Sequence, residues 1–571
     1  MARSSRAGGS PPDARFARTL RLPFALYLIA LAARALTGML HPDPAYPDAT
    51  YYVGVARALE AGNGFNIDFI WNFVDVGGRL PADPTLPIPS NGHWMPLAAL
   101  VQVPFLVLFG PSPLIALVPF MLAGAAAAPL TWAIARDAGL ARHQAVAAGL
   151  MSAVPGAVSP FLGQPDNFAL FMPLGGLALW LCARGLRGDT RAFVLGGLVV
   201  GLATLARNDG VLLALPFALG WLRQSWMARA ARRAGALTDE SAGARLPLGA
   251  AFACALLFIV VMAPWYARQL AVFGSLSPSA ANGRILWIES YGELFSVTGE
   301  PSLASFLTQG WEPLLASRLD GFVAAIQILA ALPFLFFLVP FVLWAAWSRR
   351  RSDRFGPWFV YAVALLLLSG LLFAVHVRYG TFLHSAVALI PHGYVLAVEG
   401  IALAVAWTGR RRRHWDVPRA TRNFAALAVA VLWIGGAAAT WKAVEGWEVE
   451  TDIRRAAASG LAQVARRDDR LMSADPGAYR YFAGLGGVVT PADTLDVVEA
   501  TARAYEIRLL VLERAHIVDA FAPLYLETEP LPPWLALVAD GPASDSLPAF
   551  RIYAVCLSPA DSRAVCQGAG P

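Results

Sequence analysis

Long apolar runs separated by short polar turns dominate the 571-residue chain. Runs long enough to cross a bilayer, about 17 to 25 residues each, fall at roughly 20–40, 113–135, 144–162, 166–184, 191–207, 209–223, 246–273, 319–347, 357–375, 381–407 and 423–441. The pattern predicts a polytopic α-helical membrane protein. One more apolar segment, 94–110 (WMPLAALVQVPFLVLFG), is ambiguous by length alone. From about 445 the periodicity changes. Helix-like 451–466 precedes strand-like Arg470 to Ala474 and the turn Asp475-Pro476-Gly477. Helix-like 494–505 then leads into strand-like 507–512, 535–539 and 550–555, which predicts a small α/β domain over 442–571.

Composition agrees with the spans: 57% of residues are hydrophobic and 15% charged, against about a quarter charged in a soluble domain. The net charge of +6 does not point to nucleic acid, because the basic residues sit in short runs between the apolar segments. Those runs are the tail 1–19, the loops at 136–143, 184–191 and 223–245, and the turns at 348–354 and 410–422. All of them fall on the cytoplasmic side if 94–110 is a re-entrant or interfacial helix inside a first external loop, 41–112. Eleven spans follow, with a cytoplasmic N-terminus in the inner or plasma membrane, a second large external loop at 274–318 and an external C-terminal domain. Cys182 and Cys254 lie in apolar runs and read as core residues. Cys556 and Cys566 can pair if the C-terminus is external.

This topology gathers the unusual polar residues on one face. The first external loop opens HPDPAYPDATYY, with Asp43 and Asp48 among Pro42, Pro44 and Pro47. Asp48 stands where an N-cap would stand for a helix 49–61 closed by Gly62-Asn63-Gly64. Asp166, Arg207, Asp209, His376 and Arg378 end spans on the same side, and ionisable groups at membrane depth tend to face a functional cavity. Group transfer from a phosphate-linked donor needs a carboxylate base and cations for the leaving phosphate. Asp48 is the first choice of base and Asp43 the second. Arg378, Arg207 and Arg284 are the phosphate candidates, because guanidinium offers a planar fork of donors. Arg268 beside Trp265 and Tyr266 reads as an interfacial anchor, and Glu289 and Glu293 as the wet face of a surface helix. Arg57 faces either the loop interior or solvent, and His93 is available to phosphate or acceptor. The C-terminal domain lacks a Gly-rich phosphate loop and a Ser–His–Asp pattern, so it reads as a lid or an acceptor-recognition domain.

Over residues 20–400 the chain resembles the C-type (GT-C) integral-membrane glycosyltransferases, in their protein O-mannosyltransferase and aminoarabinose-transferase-like branch. The matching elements are Asp48-Ala49-Thr50-Tyr51-Tyr52 followed by Ala56-Arg57-Ala58-Leu59, and His93-Trp94-Met95-Pro96-Leu97. Asp166, Arg207-Asn208-Asp209-Gly210 and Arg378-Tyr379 complete them. The resemblance implies a polyprenyl-phosphate sugar donor, inversion at the anomeric carbon and Asp48 as base. It also implies a lipid, glycan or protein acceptor and a donor site drawing on Tyr52, His93, Asp166, Arg207, Asp209 and Tyr379. Where many relatives carry Asp-Glu, Ala49 follows Asp48, so the expectation is a reaction that needs no metal, although a divalent ion is possible. The alternatives are a transporter or flippase, and a polymerase or ligase of lipid-linked glycans.

Overall fold

The computed structural model describes residues 12–233, 246–278, 284–544, 547–557 and 566. The start of the basic tail and parts of the loops 223–245 and 274–318 lie outside them. Among the described residues seven helices are long and apolar enough to cross a membrane, or eight if one bent pair counts as a span. That pair is Arg142–Ala153 with the 3-10 turn Gly156–Gly163, bent by 58°. The run at 319–347 is likewise not one helix. Trp311–Ala331 and Val339–Arg349 flank a break at Pro333. Two carbonyls there find donors elsewhere: Leu332 O accepts the Ala157 amide at 2.8 Å and Pro333 O accepts the Tyr394 hydroxyl at 2.7 Å. A backbone break at membrane depth persists only where its polar groups are satisfied in this way. The ambiguous segment 94–110 forms two short helices, Leu97–Leu100 and Val103–Phe109.

The helices approach closely at glycines. A Cβ on Gly197 would lie 1.9 Å from the Cys254 carbonyl oxygen, and one on Gly400 would lie 2.0 Å from that of Phe341. Helix Thr190–Ala206 thus lies against Leu248–Phe273 backbone to backbone, as small residues permit in membranes.

Helix Val417–Val464 carries the chain from the bundle into the C-terminal sheet without interruption. The expected boundary at 442 falls inside it, and so does all of the expected helix 451–466 but its last two residues. Its start is capped by Asp416, which accepts the Arg419 amide at 3.0 Å. The sheet beyond it has six strands in the spatial order Phe69–Ile70, Gly487–Val489, Arg470–Ser473, Ile507–Glu513, Phe550–Val555 and Leu535–Asp540. The first four run parallel and the last two antiparallel to their neighbours. Two of the strands had no counterpart in the sequence pattern. Gly487–Val489 is three residues long, and Phe69–Ile70 comes from the loop 41–112. That loop and the C-terminal domain are therefore one folded unit. A disulfide joins Cys556 to Cys566.

Candidate active site

Helix Pro47–Glu60 starts two residues earlier than the pattern suggests. Tyr46 is its N-cap and Pro47 opens it, so Asp48 lies inside the first turn rather than at the cap. The position still suits a carboxylate, since the helix N-terminus presents unpaired N–H groups and a partial positive charge. From there Asp48 lines an open cleft of about 1130 Å³. Tyr52, His93, Trp94, Asn167, Arg207, Asp209, His376, Tyr379 and His384 line it as well, with Trp71, Tyr291 and Phe373 as further aromatic walls.

The two carboxylates at the floor have different surroundings. Asp166 is fully buried, and its oxygens accept the Asn167 amide at 2.5 Å, the Tyr46 hydroxyl at 3.1 Å and His384 Nε2 at 2.9 Å. Asp48 has His384 Nε2 at 3.6 Å, no hydrogen bond of ordinary length among the described residues, and 24% of its side chain open to the cleft. Burial, and then the neighbouring Asp166 carboxylate, push the Asp48 pKa up to about 7, while His384 and Arg207 pull the other way. Asp166 is saturated and Asp48 is free to take a proton. Asp48 is the base this geometry offers.

His384 was not singled out in the sequence, where it sits inside the apolar run FLHSAVALIPHGY. Its ring stacks on Phe168 at 3.7 Å, Nδ1 lies 2.9 Å from the Gly380 carbonyl, and Nε2 faces both carboxylates. Both ring nitrogens thus lie within hydrogen-bond reach of an oxygen. Asp48, Asp166 and His384 also present ligand atoms within 4.8 Å of one another, so they are the residues that could hold a divalent ion. Such an ion would take the Nε2 position now bonded to Asp166.

Arg207 lines the same cleft. Its Nε donates to Asp209 Oδ1 at 2.9 Å and to Ser385 Oγ at 3.1 Å, and a terminal nitrogen donates to the Thr381 carbonyl at 3.3 Å. Asp209 thus orients the guanidinium rather than meeting the ligand first. Asn208 beside it donates to the His93 carbonyl at 3.3 Å. Burial lowers the His93 pKa to about 4, so this ring is neutral at the cleft wall. Tyr52 lines the cleft and accepts from Asn167 at 3.3 Å. Tyr379 stacks on Tyr291 at 3.9 Å and 8°, closing one side.

Three expectations are corrected. Asp43 is not beside Asp48 in the cleft. It is buried against Arg455 and Tyr481, because the loop packs on the C-terminal domain. Arg57 turns the same way and lies over the Tyr481 ring at 4.4 Å. Arg378 does not line the cleft. It is more than half exposed and forms a two-point pair with Asp320, at 2.9 and 2.5 Å. Arg284 opens the short helix Arg284–Trp287, and its side chain lies outside the described ones. Arg268 reaches inward, to the Ser90 carbonyl at 2.9 Å and over the Phe65 and Trp265 rings at 4.9 Å each. Glu293 folds back on the Glu289 and Ser290 amides, both at 2.9 Å.

Residues 93–265 match the family model described as dolichyl-phosphate-mannose-protein mannosyltransferase. Among solved structures, ArnT from Cupriavidus metallidurans bound to undecaprenyl phosphate superposes with a TM-score of 0.54 at 14% identity, covering 93% of this chain and 97% of that one. The oligosaccharyltransferase of Archaeoglobus fulgidus in the apo form gives 0.50 at 12% identity, over 86% of this chain and 69% of that one. No curated protein matches the sequence. At these identities the structural likeness establishes the fold.

Proposed function

We propose, for a multi-pass membrane protein with the fold of the GT-C glycosyltransferases, an inverting transfer of a sugar from a polyprenyl-phosphate donor to an acceptor at the outer membrane face. The observation that carries this reading is the contrast at the cleft floor. Asp48 is open, weakly partnered and poised near neutrality, beside a carboxylate that is fully satisfied. In the reaction, Asp48 takes the proton of the acceptor hydroxyl as its oxygen attacks the anomeric carbon. The bond to the phosphate breaks on the far side, and the phosphate leaves as an anion. Arg207, held by Asp209 and Ser385, faces that charge. Asp166 and His384 keep the base in place. The mannosyltransferase family match favours an enzyme over a transporter.

The orientation belongs to the same proposal. Along the chain, turns that line the cleft (Asp166, Arg207, the segment 376–384) alternate with basic turns (136–143, 184–191, 348–354, 410–413), and this supports eleven crossings with the cleft outside. A reporter fused after Gly446 should be active only outside the cytoplasm, and a cytoplasmic signal would overturn the topology. The reaction is proposed to need no metal, and transfer that is lost on chelation and restored by a divalent ion would count against that.

The chemical test uses full-length protein in liposomes with radiolabelled undecaprenyl-phosphate mannose and an envelope extract as acceptor. Asp48→Asn should lower transfer by about 10²–10⁴-fold, the usual contribution of a general base. Transfer at the wild-type rate in that variant would sink the mechanism.

A further inference from the structure

The segment 41–57 that carries Asp48 is held on both sides of it by the C-terminal part of the chain. Glu448, Thr451 and Arg455 recur at i, i+3 and i+7 on helix Val417–Val464 and so share one face. Glu448 Oε1 lies 2.6 Å from Nδ1 of the buried His41, Thr451 is itself buried, and Arg455 pairs with Asp43. The other Asp43 oxygen accepts the Tyr481 hydroxyl at 2.8 Å. The Tyr481 ring in turn carries the Arg57 guanidinium, on the same helix as Asp48. A looser approach is made at the first turn of that helix, where the Thr50 hydroxyl, which donates to the Pro47 carbonyl at 2.9 Å, also faces Asp475 Oδ1 at 3.5 Å. Asp475 is itself 3.6 Å from the buried Arg454.

Between Asp43 and Asp48 the chain reads Pro44-Ala45-Tyr46-Pro47. Two fixed proline φ angles make this a stiff link. A shift at Asp43 is therefore passed on to Asp48 instead of being absorbed between them. Arg455 is about half exposed, so as a stabilising ion pair it contributes little, and its effect falls on position.

We propose that the Asp43–Arg455 pair, bridged through Tyr481 to Arg57, is a positioning device for Asp48 and makes the C-terminal domain a working part of the transfer site. The proposal rests on Asp48 being the base. It gives Asp43 a role in the reaction without placing it in the cleft.

The test compares Arg455→Ala, Asp43→Asn, the double variant and Arg455→Lys in the liposome assay, with melting temperatures measured alongside. A displacement of about 1 Å at a reacting group costs on the order of 10²-fold. Each single variant should lose about 10–100-fold in kcat with the donor KM within about twofold, since the donor wall at Arg207 is untouched. The double variant should be no worse than the weaker single one, as expected for one shared device. Arg455→Lys, which keeps a charge facing Asp43, should recover most of the rate. Arg503→Ala, removing an exposed pair with Glu499 on the same domain, should match the wild type. Amide hydrogen exchange gives a readout that needs no turnover: residues 44–60 should lose protection in Arg455→Ala. Unchanged kcat in Arg455→Ala, or a loss confined to KM, overturns the proposal. If the wild type transfers no sugar, the base assignment fails, and unchanged protection of 44–60 then overturns the positioning device independently.

Discussion

At the scale of single residues, the site turns on which carboxylate is left unsatisfied. Asp166 has three hydrogen bonds and Asp48, among the described residues, none of ordinary length, although the sequence presents both as aspartates at the ends of apolar segments. With its pKa raised to about 7, Asp48 is protonated and inactive as a base below neutrality. Plotted against pH, kcat/KM should fall about tenfold per unit below that value and level off above it. His384→Gln removes a group that pulls this pKa down, so the limb should move to higher pH. A limb that stays at its wild-type position would show that His384 has no electrostatic part. The preference for Asp48 over Asp43 as the proposed base came from the resemblance carried by Asp48 to Tyr52, because local chemistry treats the two aspartates alike. His384 was not legible. A histidine in an apolar run reads as core until the fold brings it to a residue 218 positions away. Arg378 was misplaced for the converse reason: adjacency to Tyr379 does not set side-chain direction, and Asp320 captures it outside the cleft.

At the scale of elements, the apolar periodicity located the helices well and their breaks poorly. The interruptions at Pro333 and between Ala153 and Gly156 leave the mean hydropathy of their runs unchanged, so they register only once partners such as Tyr394 and Ala157 are in place. The strand Phe69–Ile70 was invisible because its pairing is parallel, two residues long and with a segment more than 400 positions distant. Close helix contacts are a further property that composition alone does not show. Gly197 lies against backbone, which cannot yield as a flexible side chain would. Gly197→Leu should therefore cost more than the about 1–3 kcal/mol of ordinary overpacking. The expected outcome is a lowered melting temperature and a reduced yield of monodisperse protein in detergent. A variant that melts with the wild type would mean that the two helices do not pack as described.

At the scale of the whole molecule, the division into a membrane part and an external domain is less sharp than the sequence implies. The loop 41–112 contributes a strand to the C-terminal sheet, and one helix belongs to both parts. That helix has 48 residues and is about 72 Å long at 1.5 Å per residue, more than twice the about 30 Å of a bilayer core. In the proposed orientation it would act as a lever with its fulcrum in the lipid and Glu448 and Arg455 on its outer arm. Spans answer a change in hydrocarbon thickness by tilting, and a tilt of about 5° moves a point about 35 Å along the arm by about 3 Å. Bilayer thickness should thus tune the reaction mechanically. Turnover measured across liposomes of increasing acyl-chain length should pass through a maximum, and Arg455→Ala, which removes one of the ties between the arm and the loop, should make it shallower.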